Sequence, residues 1–343
     1  MQNRATYDGA MHQLDPHERP PVSIRGVYKR YHKMKPKELD ADPDVIDLGE
    51  STIGNTPLPK GLHVVQEWEA AHLDDTFSKF GGSAARYQPR QPSIAVYEHE
   101  DMKGLHIIPS LLPPEIQHIL LSRLLHRHLS NPAHLTNIHT HYNIAYPPPS
   151  SSFFSIPAKD SATIATPIDP AVHKPLTISH VLNKKLRWAT LGGQYDWTAK
   201  EYPDTPPPPF PADIKTFLES LFPQTKAEAA IVNLYSPGDT LSVHRDVAES
   251  SSHGLISISL GCDAIFVIGT GDTVLTLRLR SGSAVYMSGS SRFAWHGVPH
   301  ILPDTCPDHL KQWPVLRHDH EYIDWAGWMA NKRINLNVRQ MSN

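Results

Sequence analysis

From Ala229 onward the chain is cut into short apolar runs, each closed by turn-forming residues: AAIVNLY, GLISISLG, DAIFVIG, TVLTLRLR, SAVYMSG, RFAWHGV and RINLNVRQ. Runs this short, rich in β-branched and aromatic residues and bounded by Gly, Asp and Ser, predict antiparallel strands. Such a set must close into a sandwich or barrel, because an open sheet leaves an apolar face and unpaired edges in water. A jelly roll, or double-stranded β-helix, with its core over residues 229–341 is the architecture they predict. Between the last two runs lies an insertion, residues 299–331, too long and irregular for a turn and expected outside the barrel.

A covering layer is present upstream. The run PPEIQHILLSRLLHRHL starts at a proline, Pro114, and spaces Ile116, Ile119, Leu120 and Leu124 as a helix face. The run PADIKTFLESLFP does the same with Ile214, Phe217, Leu218 and Leu221, and Asp213 is its expected N-cap. The fold class is therefore α+β with a mainly β core and packing helices on one face. Residues 105–343 form this domain. Residues 1–104 form an N-terminal extension, partly irregular, and the Pro-, Ser- and Thr-rich residues 144–178 a long irregular connection. Within the extension, Arg25, Lys29, Arg30, Lys33, Lys35 and Lys37 surround Tyr28 and Tyr31. That stretch either touches a phosphate backbone or docks through its tyrosines.

A net charge of -3 excludes a globally basic nucleic-acid binder but leaves room for a local basic groove. The two cysteines, Cys262 and Cys306, cannot build a disulfide framework and fit a reducing compartment. No apolar run approaches the roughly 18–20 residues of a membrane span. The N-terminus has neither the apolar core of a secretory signal nor the acid-poor character of a transit peptide. The expectation is a soluble intracellular monomer of nucleus or cytoplasm, with the mitochondrion left open and no membrane partner.

The chemistry-bearing residues sit on the predicted strands. In VHRDV, His244 and Asp246 lie two apart and share one side of an extended backbone, with Arg245 opposite. A surface ion pair in a turn is one reading. The other is that they supply two ligands of a metal, with a distant histidine as the third. His296 in FAWHGV is available for that part, or is a core histidine beside Trp295. The final strand RINLNVR alternates Arg333, Asn335, Asn337 and Arg339 against Ile334, Leu336 and Val338. Its polar face either meets water as an edge strand or points into the barrel, where two buried cations would require an anionic cargo. Asn233 and Tyr235 repeat the alternation and add neutral hydrogen-bonding groups suited to a dicarboxylate. A metal site beside a dicarboxylate pocket describes a 2-oxoglutarate-dependent oxygenase.

One further segment, residues 186–210, gathers Trp188, Tyr195 and Trp197 around Gly192-Gly193. It reads either as a lid whose aromatics stack on planar bases or as a hairpin whose aromatics cover the core edge.

The order N-x-Y, H-x-D, distant His and R-x5-R resembles the AlkB family of Fe(II)/2-oxoglutarate dioxygenases over residues 180–341. It is similar to the eukaryotic homologue-one branch through the LRW-x-TLG segment and the long insertion. The first 100 residues carry a faint likeness only. The resemblance implies that His244, Asp246 and His296 bind Fe(II). Arg333 and Arg339 would hold 2-oxoglutarate, with Asn233, Tyr235 and Asn335 as hydrogen-bond partners. Trp188, Tyr195 and Trp197 would form a nucleotide-recognition lid. Such enzymes use O2 and 2-oxoglutarate to oxidise an N-methyl group on a flipped or single-stranded base, releasing formaldehyde, succinate and CO2. The expected substrate is N6-methyladenine or 1-methyladenine in RNA or DNA, in RNA modification or DNA repair. A protein-modifying oxygenase, such as a lysine demethylase or hydroxylase, is the alternative. Two departures stand out: Ala248 occupies the place of an acid that contacts the damaged base in bacterial members, and a loop is shortened to GTGDT. Both argue against cationic lesions in duplex DNA.

Overall fold

The computed structural model describes residues 14–49, 57–82, 93–196, 201–315 and 321–342. In chain order the strands are β1 (Val45–Asp47), β2 (Leu62–Trp68), β3 (Ile94–His99), β4 (Met102–Ile108), β5 (Tyr142–Ile144), β6 (Thr163–Pro167), β7 (Leu176–Thr177) and β8 (Trp188–Gly192). There follow β9 (Ala229–Tyr235), β10 (Leu241–His244), β11 (Leu255–Gly261), β12 (Ala264–Thr270), β13 (Thr273–Leu279), β14 (Ala284–Met287), β15 (Trp295–Ile301) and β16 (Arg333–Arg339). Four helices matter to the argument: α1 (Val22–Lys33), α2 (Ala70–Gly81), α3 (Pro114–Ser122) and α4 (Ala212–Leu221).

Two main sheets form the double-stranded β-helix. The larger runs β2-β3-β4-β14-β11-β16-β9-β8, and the smaller runs β1-β13-β12-β15-β10. Alternation on β16 decides what faces where. Ile334, Leu336 and Val338 are fully buried on the side covered by the helices. There α2 and α4 are joined by the Phe80 and Phe217 rings, stacked 4.0 Å apart. Truncating a side chain such as Leu336 to Ala would cost about 2–5 kcal/mol through lost burial and a residual cavity. The opposite side of β16, carrying both arginines, turns inward between the sheets.

The expected core and covering helices are present, with three revisions. First, the boundary at residue 104 falls inside β4. The N-terminal residues supply β2, β3 and part of β4 to the larger sheet and β1 to the smaller one, where β1 pairs in parallel with β13. Helices cover both sheets, because α1 lies against the smaller one. Its Ile24 and Tyr31 are buried with Ile265, Val267 and Trp295, so the tyrosine docks the basic stretch. Arg30 pairs with Asp42 and Asp44. A Cβ on Gly269 would lie 3.0 Å from the Ile24 side chain and 2.7 Å from the Thr273 carbonyl oxygen, so only glycine admits α1 at this distance.

Second, residues 144–178 are ordered around β5, β6 and β7. Phe154 is buried edge-to-face against Trp313, Trp325 and Trp328 of the 299–331 insertion. Aromatic residues in two segments that lack periodicity thus pack on one another and extend the main core, and Trp313 is fully buried in it. Third, Asp213 is not the N-cap of α4. Pro211 holds that position, and the Asp213 carboxylate instead pairs with Arg123 and Arg127.

Candidate metal and dicarboxylate site

His244 ends β10 and stands directly opposite His296 of β15 in the antiparallel ladder, which places two imidazoles 4.4 Å apart between ring centroids. Gly297 makes the approach possible, since a Cβ there would sit 2.8 Å from the Leu241 carbonyl oxygen. Asp246 follows β10 and brings its carboxylate within 3.7 Å of His244 Nε2 and 3.8 Å of His296 Nε2. Each imidazole donates from Nδ1 to a backbone carbonyl, His244 to Ser242 (2.9 Å) and His296 to Ala294 (3.0 Å). That fixes the tautomer, so both Nε2 lone pairs face the carboxylate and the space between. Burial, with His244 adjacent, lowers His296 to about 4 and keeps it neutral. Burial alone would raise the Asp246 carboxyl, but Arg339 and the two imidazoles hold it well below the usual carboxylate range. Two imidazoles presenting Nε2 and one ionised carboxylate, with ligand atoms all within 4.8 Å of one another, are a donor set for a divalent transition metal with further positions open.

The two arginines of β16 differ in what they meet. Arg339 donates to Glu249 (2.9 Å) and to Asp246 (3.2 Å). Glu249 is buried and also accepts from Arg292 (3.0 Å), whose other nitrogen donates to the Asp246 carbonyl (2.8 Å). Tyr202 donates to the same carboxylate at 3.4 Å. Arg333, 1 % exposed, donates only to the carbonyls of Cys262 and Leu279 and to Ser259 Oγ. Its Nε lacks a partner, and no carboxylate among the described residues pairs with it. Burial pulls its pKa down to about 10.

Around Arg333 the ladder supplies neutral donors. Tyr235 lies opposite Arg333 across β9–β16, and Asn233 opposite Asn335. Asn335 donates to Ser257 Oγ (2.8 Å) and the Ile258 carbonyl (3.1 Å), so its amide nitrogen is already used. Burial pushes the Tyr235 hydroxyl upward, and it stays a donor. A buried, uncompensated guanidinium costs several kcal/mol. An anion accepting from Arg333 and Tyr235 would remove that cost, so the residues fit a carboxylate.

The aromatic segment divides. Tyr195 lines the cavity of about 350 Å³ that holds His244, Asp246 and Arg339, and burial with Asp246 nearby pushes its hydroxyl up to about 12. Trp188 lines a separate cavity of about 340 Å³ with His139 and Gln194, and Tyr195 is the wall common to both. Trp197 lies outside the described residues. Sequence reasoning missed Glu249 and Arg292. The first was one place beyond the Ala248 that drew notice, and no local pattern marks either as a partner of Arg339.

A family profile described as the 2OG-Fe(II) oxygenase superfamily matches residues 104–339. The N6-methyladenosine RNA demethylase ALKB1 of Pyricularia oryzae is 42% identical over 96% of this chain and 98% of that protein. That coverage extends the likeness through the first 100 residues, well beyond the faint trace found there in the sequence. The N6-methyladenosine RNA demethylase ALKBH of Cryphonectria parasitica is 51% identical over 60% of this chain and 99% of that protein. The tRNA demethylase abh1 of Schizosaccharomyces pombe is 39% identical over 72% of this chain and 82% of that protein.

Proposed function

The chain belongs to the 2OG-Fe(II) oxygenase superfamily and, within it, to the AlkB family's homologue-one branch, and from that premise we propose that it oxidatively demethylates N6-methyladenine in RNA. The observation that carries the reading is the pairing of the His244–Asp246–His296 cluster with a buried arginine, Arg333, to which no carboxylate among the described residues hydrogen-bonds. Relatives named as N6-methyladenosine RNA and tRNA demethylases support the substrate class.

His244, Asp246 and His296 would hold Fe(II). Bound there with 2-oxoglutarate, the iron supplies the O2 chemistry that hydroxylates an N-methyl carbon and yields succinate and CO2. The hydroxymethyl amine then loses formaldehyde and returns the unmodified base. The chain's own residues position and exclude. Arg333 would hold one carboxylate of 2-oxoglutarate, with the Tyr235 hydroxyl as a neighbouring donor. Arg339, held by Glu249, keeps the Asp246 carboxylate ionised and aimed at the imidazoles. Tyr195 stays protonated at neutral pH and walls the cavity on the substrate side. A cavity of about 350 Å³ is near the small end of ligand sites. It suits one extruded base, which a duplex cannot present without flipping.

The test is to incubate the protein with Fe(II), 2-oxoglutarate and N6-methyladenosine oligoribonucleotides, then measure formaldehyde and nucleoside composition by mass spectrometry. Parallel reactions contain 1-methyladenine oligonucleotides, methylated DNA and methyl-lysine peptides. Loss of N6-methyladenine from RNA is expected. Demethylation confined to the peptides would overturn the reading.

A further inference from the structure

Residues 14–20 reach the metal cavity at Pro16, and their anchoring is built into the residues that flank the metal ligands. Pro16 lines the same cavity as His244, Asp246, Arg339 and Tyr195. Two residues later, Glu18 pairs with Arg245, the residue between the two ligands of the H-x-D run. Arg245 lines the rim of the same cavity, and its guanidinium lies 4.4 Å from the ring centroid of Trp295. Trp295 immediately precedes His296 and is buried in the cluster that holds Ile24 and Tyr31 of α1. The Arg245 side chain is only 11% exposed. The chain after Pro16 is thus fixed at two points: by Glu18 on the Arg245–Trp295 pair, and by α1 in the core behind it. The turn before it is closed locally, with Asp15 accepting from the backbone amides of His17 and Glu18.

We propose that Pro16 is a substrate-contacting wall of the mouth, and that Glu18 and Arg245 are positioning residues that hold it there. The proposal rests on the nucleobase reading of the site. Its chemistry is apolar contact. A proline ring carries no donor or charge, so it can lie against a base of any identity without competing for the methyl-bearing edge. Tyr195 supplies an aromatic surface to the same cavity. The N-terminal segment therefore contributes to recognition of the base through Pro16, while α1 is docked through Ile24 and Tyr31.

The experiment compares Pro16→Gly, Glu18→Lys and Glu18→Asp in the full chain, with two readouts. One is KM and kcat on an N6-methyladenosine oligoribonucleotide. The other is succinate released in the absence of nucleic acid, which reports metal and 2-oxoglutarate alone. Glu18→Lys places two cations together and should raise KM about five- to tenfold. Pro16→Gly should raise it about threefold through lost apolar contact. Glu18→Asp, which keeps the ion pair, should stay near wild type. Substrate-free succinate should persist in all of them. An unchanged KM in both disruptive variants overturns the proposal. So does a lowered KM, which would make the segment an obstruction, or a parallel loss of substrate-free succinate, which would make it a brace for the metal. Failure of the functional reading is separately visible: the wild type would then leave the methylated oligonucleotide untouched.

Discussion

The two ends of β16 are six residues apart, share one face, and carry the same side chain, yet their electrostatics are opposite. At the Arg339 end the guanidinium is ion-paired with Asp246 and Glu249, and Glu249 is tied in turn to Arg292. At the Arg333 end the guanidinium meets only two carbonyls and a hydroxyl. A buried cation that has its acids is part of the framework. A buried cation without them leaves a cost in the protein that an arriving anion relieves. The same strand thus ends in a structural ion network beside the metal ligands and in a receptor for a dicarboxylate.

The comparison breaks most completely if the metal reading is wrong. Asp246→Ala removes the carboxylate ligand and the partner of Arg339 together, and Fe(II)-dependent succinate release should fall to background. Release that survives would sink the metal assignment. The next largest effect separates the two arginines. Arg339→Met leaves Glu249 buried beside a single guanidinium and should lower unfolding free energy by about 3–5 kcal/mol, read by urea denaturation without cofactors. Arg333→Met removes a charge that has no partner, so stability under the same conditions should hold or rise. Equal destabilisation by both substitutions would erase the distinction.

Affinity should show the reverse order. Arg333→Met should weaken 2-oxoglutarate binding by about 2–4 kcal/mol, roughly 30- to 1,000-fold. Titration of Mn(II)-loaded protein by calorimetry would measure it. Wild-type protein should also gain thermal stability on adding 2-oxoglutarate while Arg333→Met does not, because a ligand stabilises only the state that binds it. A thermal gain that persists in Arg333→Met would place the dicarboxylate elsewhere.

Much of this contrast was legible before folding. Period-two alternation put both arginines on one face of β16, and turn residues marked the runs that became β9 and β11 to β15. The H-x-D spacing placed two ligands together, and the cross-strand partner of His244 was the histidine already under suspicion. What could not be read depends on pairing between residues distant in sequence. Glu249 and Arg292 join Arg339 only after three separate segments converge. The first hundred residues looked like an extension because β1 is three residues long and acquires its identity by pairing with β13. Likewise β2 shows no clean alternation, with only its first residue, Leu62, buried. Trp188 was grouped with Tyr195 by proximity in sequence. The two do line one cavity together, but it neighbours the one that holds the metal cluster, which Tyr195 alone of the pair reaches.

The smallest effect tests how far the electropositive character of the Arg333 end extends along the chain. Lys332 precedes Arg333 and donates to Ser236 Oγ (2.6 Å) and the Asn183 carbonyl (3.3 Å). Burial lowers its ammonium to about 8 from the usual 10.5. Below pH 8 both folded and unfolded chains hold this proton, and the folded state bears the full cost of the buried charge. Between about pH 8 and 10.5 the unfolded chain keeps a proton that the folded chain has released, so this residue's contribution to stability rises with pH across that window. Partial exposure discounts the effect to on the order of 2 kcal/mol. The difference in unfolding free energy between wild type and Lys332→Met should therefore shift in favour of wild type as pH goes from 7 to 10. A difference that stays constant would mean the ammonium is solvated, and that the uncompensated charge at this end belongs to Arg333 alone.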